Sequence, residues 1–174
     1  KTDYNLRGSN GRNPKEFWNY SGGDYAGTWK KREKGQPFFT VYNIGDSHES
    51  RAFGDHKDES VDPKKMILAP YHPDLPEMRN TYAKYASAIS KMDSLVGQEI
   101  ENLKRDNLYE NTIVIYNSDH GGVLARSKRF LYSSGIHCPL IVRIPAKWNH
   151  LYPQGKKPGS TIDRIVSFID MPKT

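Results

Sequence analysis

Between Glu77 and about Asp106, apolar and aromatic residues recur at Met78, Tyr82, Tyr85, Ile89, Met92, Val96, Ile100 and Leu103. Steps of four and three residues stripe one face of a helix, and the spacing predicts a single long one over 77–106. At 1.5 Å per residue it would run roughly 40 Å. Lys84, Ser87, Lys91, Ser94, Gln98, Glu101 and Arg105 fall on the opposite face. Asn107 to Glu110 reads as the turn that follows. The pattern then changes to Ile113-Val114-Ile115-Tyr116, a β-branched and aromatic run that predicts a buried strand. Three further runs predict strands: Pro37 to Ile44, apolar enough to be covered on both faces, Cys138 to Pro145, and a short one over Ile162 to Phe168. Strand, long helix, strand, loop, strand predicts an α/β fold, with a sheet flanked by helices.

Residues 1–36 show no sustained period and form an irregular, loop-rich segment. Phe17, Trp18, Tyr20, Tyr25 and Trp29 are scattered through it, either pinning the loop to the body or lining a sugar-binding cleft. Asn19-Tyr20-Ser21 fits a glycosylation acceptor pattern. At 174 residues the chain could form one domain with a core. It begins at Lys1 and ends in Asp170-Met171-Pro172-Lys173-Thr174, where proline looks like a helix start. The expectation is therefore a fragment cut at both ends. No apolar run is long enough to cross a membrane, so no membrane partner is expected.

Composition changes this picture little. The net charge of +6 and pI near 9.3 raise the question of nucleic acid. The basic residues are scattered, as in Lys30-Lys31-Arg32, Lys64-Lys65 and Lys156-Lys157, and no recognition helix, zinc pattern or RNP-type strand accompanies them. Nucleic acid is set aside as a partner; a polyanionic substrate is not. The single cysteine, Cys138, excludes an internal disulfide.

Candidate chemistry gathers at strand ends. The run through Tyr116 stops in Asn117-Ser118-Asp119-His120-Gly121-Gly122, two metal-ligand types followed by two residues that let the chain turn sharply. In an open α/β sheet, the carboxyl end of a strand is the usual place for a ligand site. The Pro37–Ile44 run stops likewise in Gly45-Asp46-Ser47-His48-Glu49-Ser50. There His48 is a proton donor, a ligand or a hydrogen-bonded loop histidine. His72, in a proline-punctuated connection, is a surface residue or a substrate contact. Lys128 suits an anionic substrate. Asp119 and His120 suit a divalent cation, although a hard cation such as calcium wants six to eight oxygens.

The chain resembles the sulfatases of the alkaline-phosphatase superfamily. Thr112 to Gly121 is similar to that family's strand ending in S-D-[NH]-G, and the segment with Met92-Asp93, Val96-Gly97, Leu103 and Asn111-Thr112 to the helix before it. Lys128, Tyr132, Gly135 and Pro139 fall at the spacing of K-x-x-x-Y-E-G-G-x-R-x-P. Asp170-x-Pro172-x-Thr174 is similar to D-x-x-P-T, with Lys173 interposed. The resemblance covers 37–174 and implies the carboxyl-side part of a catalytic domain with a partial alkaline-phosphatase-like sheet. It implies hydrolysis of sulfate esters or sulfamates, on a sulfated small molecule or glycan. Asp119 and His120 match a pair that completes a Ca2+ site. Lys128 matches the lysine that contacts the sulfate, and His48 the histidine that assists the leaving group. The family's nucleophile is a formylglycine, and its setting would be extracytoplasmic: periplasmic, secreted or lysosomal.

Several positions depart from the family pattern. No C/S-x-P-x-R nucleophile motif and no early aspartate pair occur, Ser133 and Ser134 replace the acidic and first glycine positions, and His137 stands where arginine is usual. Cys138 precedes proline and reads as a small buried residue. The 174 residues alone are therefore expected to be inactive. Two alternatives remain: a phosphodiesterase of the same superfamily, and a non-catalytic anion- or metal-binding fragment.

Overall fold

A computed structural model describes residues 19–20, 28–50 and 60–173. Phe17, Trp18, Ser21 and Tyr25 lie outside the described residues, and with them part of the aromatic loop and of the glycosylation pattern. The dominant element is helix α1, Pro76–Arg105, within one residue of the expected span at either end. Pro76 opens it, a position where the missing N–H costs nothing. Glu77 in the first turn and Lys104 and Arg105 in the last complement the helix dipole. The end is a glycine-type stop built on asparagine. Asn107 adopts φ 58°, its N–H bonds Lys104 O at 3.0 Å, and Leu108 N–H reaches back to Leu103 O at 2.9 Å.

The faces of α1 are less cleanly divided than the periodicity implies. Ser87, on the expected polar face, is buried, while Ile89 in the apolar stripe is partly exposed. Ser87 Oγ accepts a 3.0 Å hydrogen bond from Ser60, and the turn Pro63–Lys65 packs on the helix nearby, joined by Arg79 to Met66 O at 3.0 Å. Small residues at Ala83 and Ser87, four apart, let that connection approach closely.

After α1 a 3₁₀ turn, Tyr109–Asn111, leads into strand β1, Val114–Asn117. A one-turn helix α2, Ser133–Ile136, precedes strand β2, Leu140–Arg143. The strands pair antiparallel, with Val114 opposite Arg143, Ile115 opposite Val142, Tyr116 opposite Ile141 and Asn117 opposite Leu140. Pro139 and Pro145 bracket β2 and shorten it relative to the expected 138–145, because proline cannot donate to a ladder. Arg143 ties β2 back to the 3₁₀ turn: it bonds the carbonyls of Tyr109 and Thr112, pairs with Glu110 at 3.0 Å and stacks on Tyr109.

The mixed α/β class is as expected; two of the expected strands are not. Residues 37–44 join no ladder among the described residues, and their side chains alternate, with Phe39 and Val41 exposed between half-buried Phe38, Thr40 and Tyr42. One face is covered, not two. Residues 162–167 also join no ladder, Ile165 and Val166 are exposed, and Phe168–Lys173 is a 3₁₀ helix. A β-branched run satisfies its backbone as a strand only beside a partner strand. The sheet itself is not covered on both faces either, since Ile115, Ile141 and Val142 are exposed. Buried apolar side chains are few among the described residues. They are Trp29, Ala83, Leu103, Val123 and Pro145. Trp29 is pinned by its indole N–H to Asp106 Oδ2 at 2.8 Å, a bond that holds the Asp106 carboxyl below its usual range.

Candidate functional site

The loop after β1 is pressed against α2. Gly121 N–H bonds Gly135 O at 2.8 Å, and a Cβ on Gly121 would collide with the Ser134 carbonyl. Gly135 is equally confined, by the carbonyls of Ser127 and Phe130. Only hydrogen fits at either position, which is why the chain can fold back so closely here. The return is closed by Lys128 N–H to Gly122 O at 3.0 Å. Two residues past His120, the backbone is thus bonded to the residue that bears the candidate sulfate contact.

Lys128 is the best-held of the candidate residues. Its side chain is 15% exposed, and Nζ lies 2.8 Å from Glu49 Oε2. Arg129 grips the same carboxylate through both oxygens, at 2.8 and 3.0 Å. Hydrogen bonds from Lys128 and then Arg129 hold the Glu49 carboxyl far below its ordinary range, at about 2. Glu49 sits next to His48 on a loop anchored from the other side, where Asp46 pairs with Lys91 of α1 at 3.1 Å. The structure therefore brings the His48 loop and the Lys128 loop together. A cavity of about 300 Å³ opens between them and α1, lined by Glu49, Met78, Thr81, Lys128, Arg129 and Phe130 among others.

His48 is exposed on this loop. Its Nδ1 accepts the Ser50 N–H at 3.3 Å and lies 3.1 Å from Ser50 Oγ. An accepting Nδ1 puts the ring proton on Nε2, the nitrogen left to face a ligand. His72 bridges the Tyr82 hydroxyl, at 2.7 Å, and Ala125 O, at 3.1 Å, and so braces the Lys128 loop. His137 is exposed and ends α2 through its backbone N–H to Ser133 O. Cys138 is half-buried, and burial, with a smaller push from Asp119, raises its thiol pKa, which suits no nucleophile.

Asp119 and His120 are adjacent and loosely paired, Nε2 to Oδ1 at 3.6 Å, with the Asp119 side chain 77% exposed. His120 Nδ1 lies 2.7 Å from Gly121 O, an N–H donor contact that leaves Nε2 as the acceptor. Among the described residues no three His, Cys, Asp or Glu side chains gather as a metal shell. A carboxylate oxygen and an accepting imidazole nitrogen fit a share of a cation's shell, with further oxygens coming from other groups.

Sequence reasoning passed over Glu49, Arg126 and Arg129. Glu49 stood in the polar run beside His48, and that adjacency was the one available signal; its partner Arg129 is 80 residues away.

The family model for sulfatases matches residues 18–174. The chain belongs to the sulfatase family. An ulvan-active sulfatase of Formosa agariphila is 31% identical over the whole of this chain, which covers 33% of that protein. Human arylsulfatase K is 30% identical over 55% of the chain and 17% of its own length. An endo-4-O-sulfatase of Bacteroides thetaiotaomicron is 27% identical over 67% of the chain and 25% of its own length. This sulfatase chain thus spans a third or less of the curated relatives named here. No solved structure matches it. Among its described residues, no helix is long and apolar enough to cross a membrane.

Proposed function

We propose that residues 37–174 are the carboxyl-side part of a sulfatase catalytic domain that hydrolyses sulfate esters or sulfamates on a carbohydrate. The observation that carries this reading is the contact of Lys128 with Glu49, a largely buried ammonium already holding an oxyanion beside a cavity. Lys128 would take the sulfate oxygens in place of that carboxylate. A fixed positive charge there stabilises an oxygen-rich, dianionic transition state without reorganising at the moment of reaction. His48 would offer its Nε2–H to the departing oxygen, oriented by Ser50 on Nδ1. Asp119 and His120 would hold Ca2+ together with groups from outside this chain. Bound there, the ion would supply further neutralisation of sulfate oxygens. The nucleophile, a formylglycine in the family pattern, is assigned to residues beyond these 174. An extracytoplasmic setting agrees with a sulfated glycan as substrate.

The test is Lys128→Ala in the full-length protein, read as sulfate release from an aryl sulfate. A loss of roughly a hundredfold or more in kcat/KM is expected, the scale seen when a preorganised oxyanion contact is removed. A variant within about threefold of wild type would remove Lys128 from the sulfate site. The isolated chain of 174 residues is expected to release none.

A further inference from the structure

Next to the Lys128–Glu49 contact, the same cavity carries a cation of a different kind. The Arg126 guanidinium carbon lies 4.7 Å from the centre of the Tyr71 ring and 4.3 Å from that of Tyr132. Arg126 adopts φ 61°, a conformation that side-chain-bearing residues rarely take, and Ser134 Oγ donates to its carbonyl. Tyr71 meets His72 edge-on at 4.6 Å, and His72 is itself fixed between Tyr82 and Ala125. The two tyrosines thus come from separate, anchored segments and close on one guanidinium.

That guanidinium is held between two aromatic rings. Among the described residues Lys128, Arg129, Arg79 and Arg143 each meet a carboxylate; Arg126 meets none. It is exposed, at the rim of a cavity whose charged lining among the described residues is Arg126, Lys128, Arg129 and Glu49. Beside it Tyr71, Phe130 and Tyr132 are 45%, 51% and 49% exposed. Aromatic faces accept the apolar face of a sugar ring, and a guanidinium edge takes an oxyanion in bidentate fashion. The left-handed backbone of Arg126 and the two flanking rings fix where the guanidinium sits.

We propose that Arg126, clamped by Tyr71 and Tyr132, is a binding subsite for a second anionic group of the substrate. That group sits on a sugar near the one whose sulfate Lys128 contacts. The substrate class is then a polyanionic oligosaccharide rather than a singly sulfated small molecule. This inference rests on the sulfatase reading above. The second anion can be a sulfate or a carboxylate; the chemistry at Arg126 is the same for both.

The experiment compares full-length wild type with Arg126→Gln on three probes. They are 4-nitrophenyl sulfate, a sulfated galactan tetrasaccharide carrying sulfates alone, and a sulfated uronan tetrasaccharide carrying carboxylates as well. The expected result is a fall in kcat/KM, mainly through KM, that is about tenfold larger on one or both tetrasaccharides than on the aryl sulfate. A fall confined to one tetrasaccharide identifies the source of the anion. Equal effects on all three probes overturn the proposal. Should Arg126→Gln melt several degrees below wild type, Tyr132→Leu is read by the same comparison. If wild type turns over none of the probes, the sulfatase reading fails by itself. The subsite is then decided by calorimetric titration of the two tetrasaccharides, where tenfold weaker binding to Arg126→Gln supports it and equal binding overturns it.

Discussion

The two halves of the candidate site are built to different tolerances. At Lys128 both partners of the ion pair, Lys128 and Glu49, are largely buried, the pair is 2.8 Å long, and the carboxylate is gripped a second time by the more exposed Arg129. Around Asp119 the carboxylate is mostly exposed, and the imidazole of His120 is 3.6 Å away. The difference teaches which half this chain organises by itself. In the proposed site, anion handling would be preset by residues from two loops and α1, all within the chain. The proposed cation side presents two donors on the turn after β1 and would leave the rest of the shell to other groups. Isolated charges stay solvated when exposed, whereas a lysine brought indoors requires its partner.

The comparison breaks if the exposed half turns out not to handle a cation. Asp119→Asn in the full-length protein is expected to weaken Ca2+ binding by at least tenfold, because a charged ligand is replaced by a neutral one of the same shape. Calcium titration of the chelator-stripped protein measures this, and unchanged affinity would assign the ion elsewhere. A smaller effect is expected at the hinge between the halves. Gly121→Ala forces a methyl group into the Ser134 carbonyl, and a loss of about 2 kcal/mol in stability is expected from overpacking. Thermal or urea unfolding reports it; a stability equal to wild type would mean that the loop and α2 separate at little cost.

The smallest effect sharpens the buried half through pH. Glu49 has its carboxyl lowered from 4.5 to about 2, so the folded chain binds this proton less readily than the unfolded chain. The contribution to stability is fully present above 4.5 and is lost as pH falls from there through about 2. Glu49→Gln should remove that part of the acid sensitivity and leave a flatter melting temperature between those limits. Parallel curves for the two proteins would show that the pairing persists equally in the unfolded chain.

Local signals were legible where local physics decides. The four-and-three spacing located α1 because a helix satisfies its own backbone and needs only one covered face. The runs around Val114–Asn117 and Leu140–Arg143 were recognisable too, although nothing along the chain said that they pair antiparallel. Residues 37–44 and 162–168 carry the same β-branched signature and join no ladder, since pairing depends on a partner that composition does not reveal. The site divides similarly. Asp119, His120, His48 and Lys128 could be named from motif spacing, and their roles stand as proposals. The Glu49 grip and the Tyr71–Arg126–Tyr132 clamp depend on contacts between segments far apart in sequence, so no spacing announces them.

The bond from Lys128 N–H to Gly122 O has a consequence for how this region can vary in length. It staples the segment 123–127, whose two end residues, Val123 and Ser127, are themselves buried. A residue added there would have to be absorbed as a bulge or would carry Lys128 away from Glu49 by up to about 3.8 Å, one Cα step. That is more than the whole length of the ion pair. The segment therefore acts as a spacer gauge between the Asp119–His120 turn and the ammonium of Lys128, one that accommodates exchange of side chains more readily than a change of count.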